Sequence, residues 1–233
     1  MSTTTPSPRD RSATIQPLAA IEASVRVRAD TDVRFMSWWL YFLILSWLTL
    51  GIATIYYFVR RVSRIDNYSR RKQEFYKGVI EFTDRFTNSS DKRTVVEPIV
   101  RDMRGLIEPA IQRELRPIGA LKAILLTIVT LGIYFFVVRY QVNRAWADRQ
   151  RVEREFDDLL SKAWIALGIT SYPVTFEPAP GKDRNFWLYL GLTFVTLGIW
   201  GLVWDYKIHT DPENIFPRIH QVEDTVIQLA RAA

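Results

Sequence analysis

The chain has no cysteine and only two histidines, His209 and His220. Without a thiol there is no disulfide framework, no thiolate metal site and no Cys nucleophile. His209 and His220 are accompanied by Asp211, Glu213 and Glu223, but at no recognised metal-ligand spacing, so no metal site is expected. No Ser-His-Asp arrangement, phosphate loop or paired catalytic carboxylate is evident, and neither an enzyme nor a cofactor is expected. A mean hydropathy of −0.04 would suit an ordinary globular protein. That average conceals an uneven distribution, because the apolar residues are gathered in blocks separated by densely charged sequence.

Three blocks carry no charge: Phe35–Val59, Ala123–Val138 (reaching back to Ile118 across Lys122) and Asn185–Trp204. A helix crossing the hydrocarbon core needs ~20 mainly apolar residues, which the first and third blocks supply directly. Aromatic residues mark block ends: Trp38, Trp39 and Tyr41 against Tyr56 and Tyr57, and Trp187 and Tyr189 against Trp204 and Tyr206. This is the placement expected at the two membrane interfaces. The fold class expected is therefore an all-α integral membrane protein, with three apolar transmembrane (or re-entrant) helices joined by amphipathic connecting helices. The implied location is multi-pass in a cell membrane.

The tetrapeptide Thr-Leu-Gly-Ile occurs at Thr49–Ile52, Thr130–Ile133 and Thr196–Ile199, each time within an apolar block. The first two copies are in a register that continues without a gap, setting Glu74-Phe75 on Glu155-Phe156 and Val79 on Leu160. This is a diverged internal repeat. A polar, disordered segment 1–34 precedes repeat 1 (35–116), with a membrane helix 35–59 and amphipathic helices 62–87 and 94–115. Repeat 2 (117–184) has a membrane helix 118–138, an amphipathic helix 142–167 and a loop 168–184. Repeat 3 (185–233) has a membrane helix 185–206 and, beyond the interruptions at Pro212 and Pro217, a helix 217–230. Phe75, Val79, Phe82 and Phe86, and likewise Phe156, Leu160, Ala163 and Leu167, form single apolar stripes that need a partner.

The segment Thr196–His209 resembles the signature of a family of small prokaryotic membrane proteins of unknown function. In that family an apolar helix ends in Thr-(Leu/Phe)-Gly-Ile-Tyr, followed by aromatic and then basic residues. Thr130–Tyr140 is a second match, whereas Thr49–Arg61 has Ala53 where the aromatic belongs. The resemblance implies a prokaryotic cytoplasmic-membrane protein and no particular activity.

Lys and Arg near the block ends favour an outside N-terminus only weakly for three alternating spans. Re-entrant hairpins bending at Thr-Leu-Gly would keep every charged flank on one side, but the bend would leave backbone groups unsatisfied in lipid. Spanning is the favoured reading. Thr49, Gly51, Thr130, Gly132, Thr196 and Gly198 are then helix-packing residues. Arg60, Arg61, Arg64, Arg70, Arg71 and Lys72 are expected to contact anionic lipid headgroups. Lys122 and Asp205 are a candidate interhelical ion pair. The expected partners are membrane lipids and either further copies of this chain or other membrane subunits. Nucleic acid is not expected, since Asp66, Glu74, Glu81 and Asp84 interrupt the basic run. The leading functional expectation is a non-enzymatic structural, scaffolding or accessory membrane subunit. A small channel or transporter subunit with a pore at an oligomer axis is one alternative, and a membrane-shaping protein with re-entrant hairpins is the other.

Overall fold

In each of the three copies one helix ends at the Thr-Leu pair and the next begins just beyond it. In the second copy the Gly132 N–H donates to the Thr127 carbonyl (2.7 Å) and the Leu131 N–H to the Ile128 carbonyl (3.1 Å). These are the two bonds of a Schellman helix end, which requires a left-handed residue between them. That residue is leucine, with φ 50° at Leu131, 48° at Leu50 and 51° at Leu197. The preceding threonine completes the turn. Thr130 Oγ1 donates to the Leu126 carbonyl (2.7 Å) and accepts from the Tyr134 N–H (2.9 Å). Thr49 and Thr196 make the same two bonds at the same lengths.

The computed structural model describes residues 8–32, 37–50, 52–174 and 184–233, and of 8–15, 42 and 43 the backbone alone. Its regular elements among these are all helical: α1 (Pro8–Arg26), α2 (Arg28–Thr31), a π-helical stretch (Leu40–Leu45), α3 (Ser46–Leu48), α4 (Ile52–Asn88), α5 (Arg93–Gln112), α6 (Ala120–Val129), α7 (Ile133–Leu167), α8 (Phe186–Val195) and α9 (Ile199–Ala232). Short first arms thus lead into three long helices, α4, α7 and α9.

The side-chain register fixes the direction of the long helices. Ser69 meets Arg149 and Thr83 meets Trp164, so residue numbers rise together along α4 and α7. Arg61 meets Asp205 and Arg71 meets Glu223, so they rise together along α4 and α9 as well. All three long helices therefore run parallel, and the three Thr-Leu-Gly turns lie at one end of the molecule. Consecutive membrane crossings would have alternated in direction.

Away from the turns, Phe75, Val79 and Phe82 of α4 pack with Phe156, Leu160 and Trp164 of α7, Val96, Val100 and Met103 of α5, Ile21 of α1 and Val226 of α9. The amphipathic stripes thus cover one another. A second apolar cluster, including Val62, Ile65 and Tyr68 with Val138, Trp146, Trp204, Ile208 and Phe216, lies nearer the turns.

Several expectations are corrected. Among the described residues no helix is long and apolar enough to cross a membrane. This overturns the integral, multi-pass reading with transmembrane helices 35–59, 118–138 and 185–206, along with the location drawn from it. The reason is local: a left-handed leucine divides each block into two arms, so its apolar length is not one helix. The second half of each block instead runs on into the amphipathic helix behind it, as in α4 and α7. Part of the segment expected to be disordered, 1–34, forms α1 and α2, where Ile21 and Val25 join the core. Pro212 and Pro217 lie within α9 without ending it. Each removes one donor, and the packing of Ile208, Ile215, Phe216 and Ile219 holds the helix together around them. Residues 175–183 of the expected loop, and residues 35 and 36, lie outside the described residues.

Candidate interaction surface

The three turns project apolar side chains that the protein does not cover. Leu50, Leu131 and Leu197 are 95, 95 and 94 % exposed. Around them Trp47, Leu48, Ile52, Ile128, Val129, Ile133, Phe194, Val195 and Ile199 are exposed as well. Outside the hairpins, the exposed large apolar residues among those described are Val27, Val95, Ile165 and Tyr172, scattered singly. Isolated exposed apolar residues are ordinary, but a concentration at one end marks a contact surface.

The leucines carry a conformational cost as well. An L-residue in the left-handed region is disfavoured by roughly 1–2 kcal/mol, which glycine avoids. The same chain uses glycine for this purpose elsewhere: α7 ends at Gly168 with φ 80°, its N–H bonded to the Ile165 carbonyl. At the tips, leucine occupies that position and glycine follows. Gly132 and Gly198 are themselves left-handed, at φ 92° and 95°, and a Cβ on either would meet nothing within 4 Å. They are turn residues, which corrects the helix-packing role expected of them. Gly51 lies outside the described residues. Close approach is required at Gly201 instead, where a Cβ would lie 2.9 Å from Thr193 Cγ2 of the facing arm.

The turn backbone is largely self-satisfied. Every N–H from residue 130 to 134, and from 196 to 200, has an acceptor within its own hairpin. The objection that a bend at Thr-Leu-Gly strands polar backbone groups is thereby removed for the donors, chiefly by the threonine hydroxyl.

Behind the tips a polar collar joins the hairpins. Asp205 of α9 accepts from Arg61 of α4 through both carboxylate oxygens (2.7 and 2.8 Å), from Arg139 of α7 (2.6 Å) and from the Trp38 indole of the first arm (3.0 Å). Burial alone would raise the Asp205 carboxyl, but Arg61 and Arg139 outweigh it and hold the group well below the usual carboxylate range. Burial lowers the Arg139 guanidinium, with Asp205 opposing. Aromatic rings surround this collar: Tyr41 stacks on Tyr57 at 3.9 Å, and Trp38 packs edge-on to Tyr206. Trp39, Tyr56, Tyr140, Trp187 and Tyr206 are exposed.

The collar replaces the ion pair expected between Lys122 and Asp205. Lys122 is exposed and is not among the partners of Asp205. The expected headgroup cluster also divides. Arg60 and Arg70 are exposed, Arg61 belongs to the collar, and Arg64 bonds Glu213 (3.0 Å) and the Asp32 carbonyl (2.9 Å). Arg71 and Lys72 are buried in a separate network and do not meet lipid. Arg71 pairs with Asp32 (2.7 Å) and Glu223 (2.8 Å), and Lys72 lies 3.1 Å from Glu223 and 3.6 Å from Glu153. A run of basic residues on a helix distributes around its axis, and only one face of α4 is outward. Sequence reasoning missed the leucines themselves and Arg139. The signal for the first was present, since leucine stands between Thr and Gly in all three copies.

Among the described residues no cluster of His, Asp and Glu could hold a metal ion. No curated protein and no solved structure matches the chain. Residues 119–177 and 184–230, the second and third hairpins with most of their long helices, match a family model described only as a domain of unknown function (DUF4234), in keeping with an uncharacterised family.

Proposed function

We propose that the protein inserts its three hairpin tips side by side into one leaflet of a lipid bilayer, without crossing it, and acts there as a non-enzymatic, membrane-shaping wedge. The observation that carries this reading is the repeated left-handed leucine. It costs folding energy, is about 95 % exposed at each tip, and repays that cost only in an apolar environment outside the chain. Burying one leucine side chain contributes about 1.5–3 kcal/mol, against a backbone cost of roughly 1–2 kcal/mol.

Dimensions support the same reading. The ten-residue arms α6 and α8 are ~15 Å long at helical rise, half of the ~30 Å hydrocarbon thickness. Arg139 and Asp205 each stand eight residues past the tip leucine of their own hairpin, so the collar is ~12 Å behind the tips. With tips near the bilayer midplane, the charged collar and the exposed Trp and Tyr residues reach the headgroup level. Inserting volume into one leaflet alone expands that leaflet and favours curvature. The scaffold reading was drawn from the repeated units, the lack of catalytic residues and the amphipathic stripes that needed a partner, and those stripes are covered within the chain.

The test uses single cysteines in a chain that has none. An environment-sensitive fluorophore on L131C is expected to shift to the blue with phosphatidylcholine vesicles and to be quenched by bromine placed deep in the acyl chains. The same probe on S90C, at the opposite end of α4, should stay aqueous. L50D/L131D/L197D should abolish vesicle association. Equal responses of L131C and S90C, or vesicle binding unaffected by the three aspartates, would refute the reading. Self-association through the tips without vesicle binding would assign them to a second copy.

A further inference from the structure

A cleft of about 830 Å³ lies between the α5–α6 connection and α7, beside the second hairpin. Six cations line it: Arg113, Arg116, Lys122, Arg144, Arg149 and Arg151. Against them stand two carboxylates, Glu114 and Asp148, and Asp148 is already engaged by Arg151 (2.5 Å) and Arg144 (3.4 Å). Arg113, Arg116 and Lys122 are exposed and have no carboxylate within 4.0 Å among the described residues.

Arg149 distinguishes this cleft from a solvated basic surface. It is 3 % exposed, and among the described residues its guanidinium bonds only neutral acceptors, the Ser69 hydroxyl (2.9 and 2.7 Å) and the Ala145 carbonyl (2.9 Å). A buried cation without a carboxylate partner is costly and aims a positive potential at the nearest concave space. Burial pushes its guanidinium down to about 10.

The position of the cleft selects the anion. Lys122 precedes the tip residue Leu131 by nine residues and Tyr140 follows it by nine, so both stand ~13 Å behind the tip at helical rise. That is the depth of the collar. Tyr134, closer to the tip, lines the same cleft. The cleft therefore runs from the aromatic margin of the hairpin back to a cationic interior.

We infer that this cleft binds the headgroup phosphate of an anionic phospholipid, with Lys122, Arg116 and Arg113 as the accessible cations. The inference rests on one-leaflet insertion of the hairpins, and it adds a stoichiometric lipid site to that reading. Free phosphate monoesters share the same chemistry, and the experiment separates the two sources.

The test compares the full chain with R113Q/R116Q/K122Q, which breaks no ion pair described here, and with R101Q/R154Q/K162Q, which removes the same charge outside the cleft. Association is read from vesicles of phosphatidylcholine alone and of phosphatidylcholine with phosphatidylglycerol, and glycerol 3-phosphate is titrated in the absence of lipid. The parent is expected to prefer the anionic vesicles. The cleft variant should lose about tenfold or more of that preference while binding neutral vesicles as before. The control variant should lose markedly less. Equal losses in the two variants would overturn the site in favour of non-specific attraction by net charge. Binding of glycerol 3-phosphate that the cleft variant loses, with no effect on vesicles, would overturn the lipid assignment. Failure of the parent to bind either vesicle would overturn the insertion reading itself, a different result from loss of the anionic preference alone.

Discussion

Replacing the tip leucines by glycine should move folding stability and lipid affinity in opposite directions. Leu50, Leu131 and Leu197 have φ near 50°, where an L-residue costs roughly 1–2 kcal/mol relative to glycine. Glycine returns part of that through the larger entropy of its unfolded chain, about 0.5–1 kcal/mol. The net gain is about 0.5–1 kcal/mol per tip. The three tips occupy separate hairpins and the leucines are about 95 % exposed, so the effects should add to about 2 kcal/mol for L50G/L131G/L197G. For a chain of this size that raises the melting temperature by about 4–8 °C. The assay is urea and thermal unfolding at low protein concentration without lipid, followed by helical circular dichroism. Partition into vesicles should fall by three leucine transfers, about 1.5–3 kcal/mol each, or on the order of a thousandfold or more. A less stable glycine variant in water would refute the idea that these leucines are strained. Unchanged partition would refute the idea that the strain serves lipid contact.

Asp205→Asn leaves Arg61 and Arg139 facing each other in a largely buried site and should cost about 2–4 kcal/mol, seen as a lower urea midpoint at neutral pH. Asp205 and Asp32 are both held below the usual carboxylate range, Asp32 against its burial by His220 and Arg71. Their stabilisation is therefore complete above the unfolded value near 3.8 and is lost as the pH falls through their lower folded values. Below about pH 3.8 unfolding midpoints should drop, and more shallowly in Asp205→Asn. Gly201→Leu forces a side chain where even a Cβ lies 2.9 Å from Thr193 Cγ2. It should splay the third hairpin at about 1–3 kcal/mol, with faster amide exchange over residues 186–204 and little change in α4. Thr83→Val removes the acceptor of the Trp164 indole N–H (2.9 Å) and should cost about 1–3 kcal/mol with no effect on vesicle binding.

The helical character, the three-fold repeat and the apolar stripes were legible because they rest on periodicities of side chains along one chain. Phe75, Val79 and Phe82 show a face by spacing alone, and in the structure that face lies in the core. Hydropathy also located the blocks, but it measures only total apolarity. A block of 20 residues reads the same as one crossing helix or as two short arms, and the difference rests on a single backbone torsion at Leu50, Leu131 or Leu197. Leucine is a strong helix former, and propensity pointed away from a turn there.

The chemistry of the charged residues was the least legible part. Arg60 to Lys72 look alike in the sequence, yet α4 turns Arg71 and Lys72 inward to Glu223 and Glu153 and turns Arg60 and Arg70 outward. Asp205 could be placed at an apolar boundary from sequence, but not its partners, which come from residues 66 and 144 positions away. The sequence by itself determined which stretches are apolar, that they are copies of one unit, and that no thiol is present. Only the tertiary structure decided that the copies point the same way, because direction follows from which helices meet and in what register. Once parallel, the three turns come to one end, and three separate apolar tips become a single surface backed by a shared ionic collar.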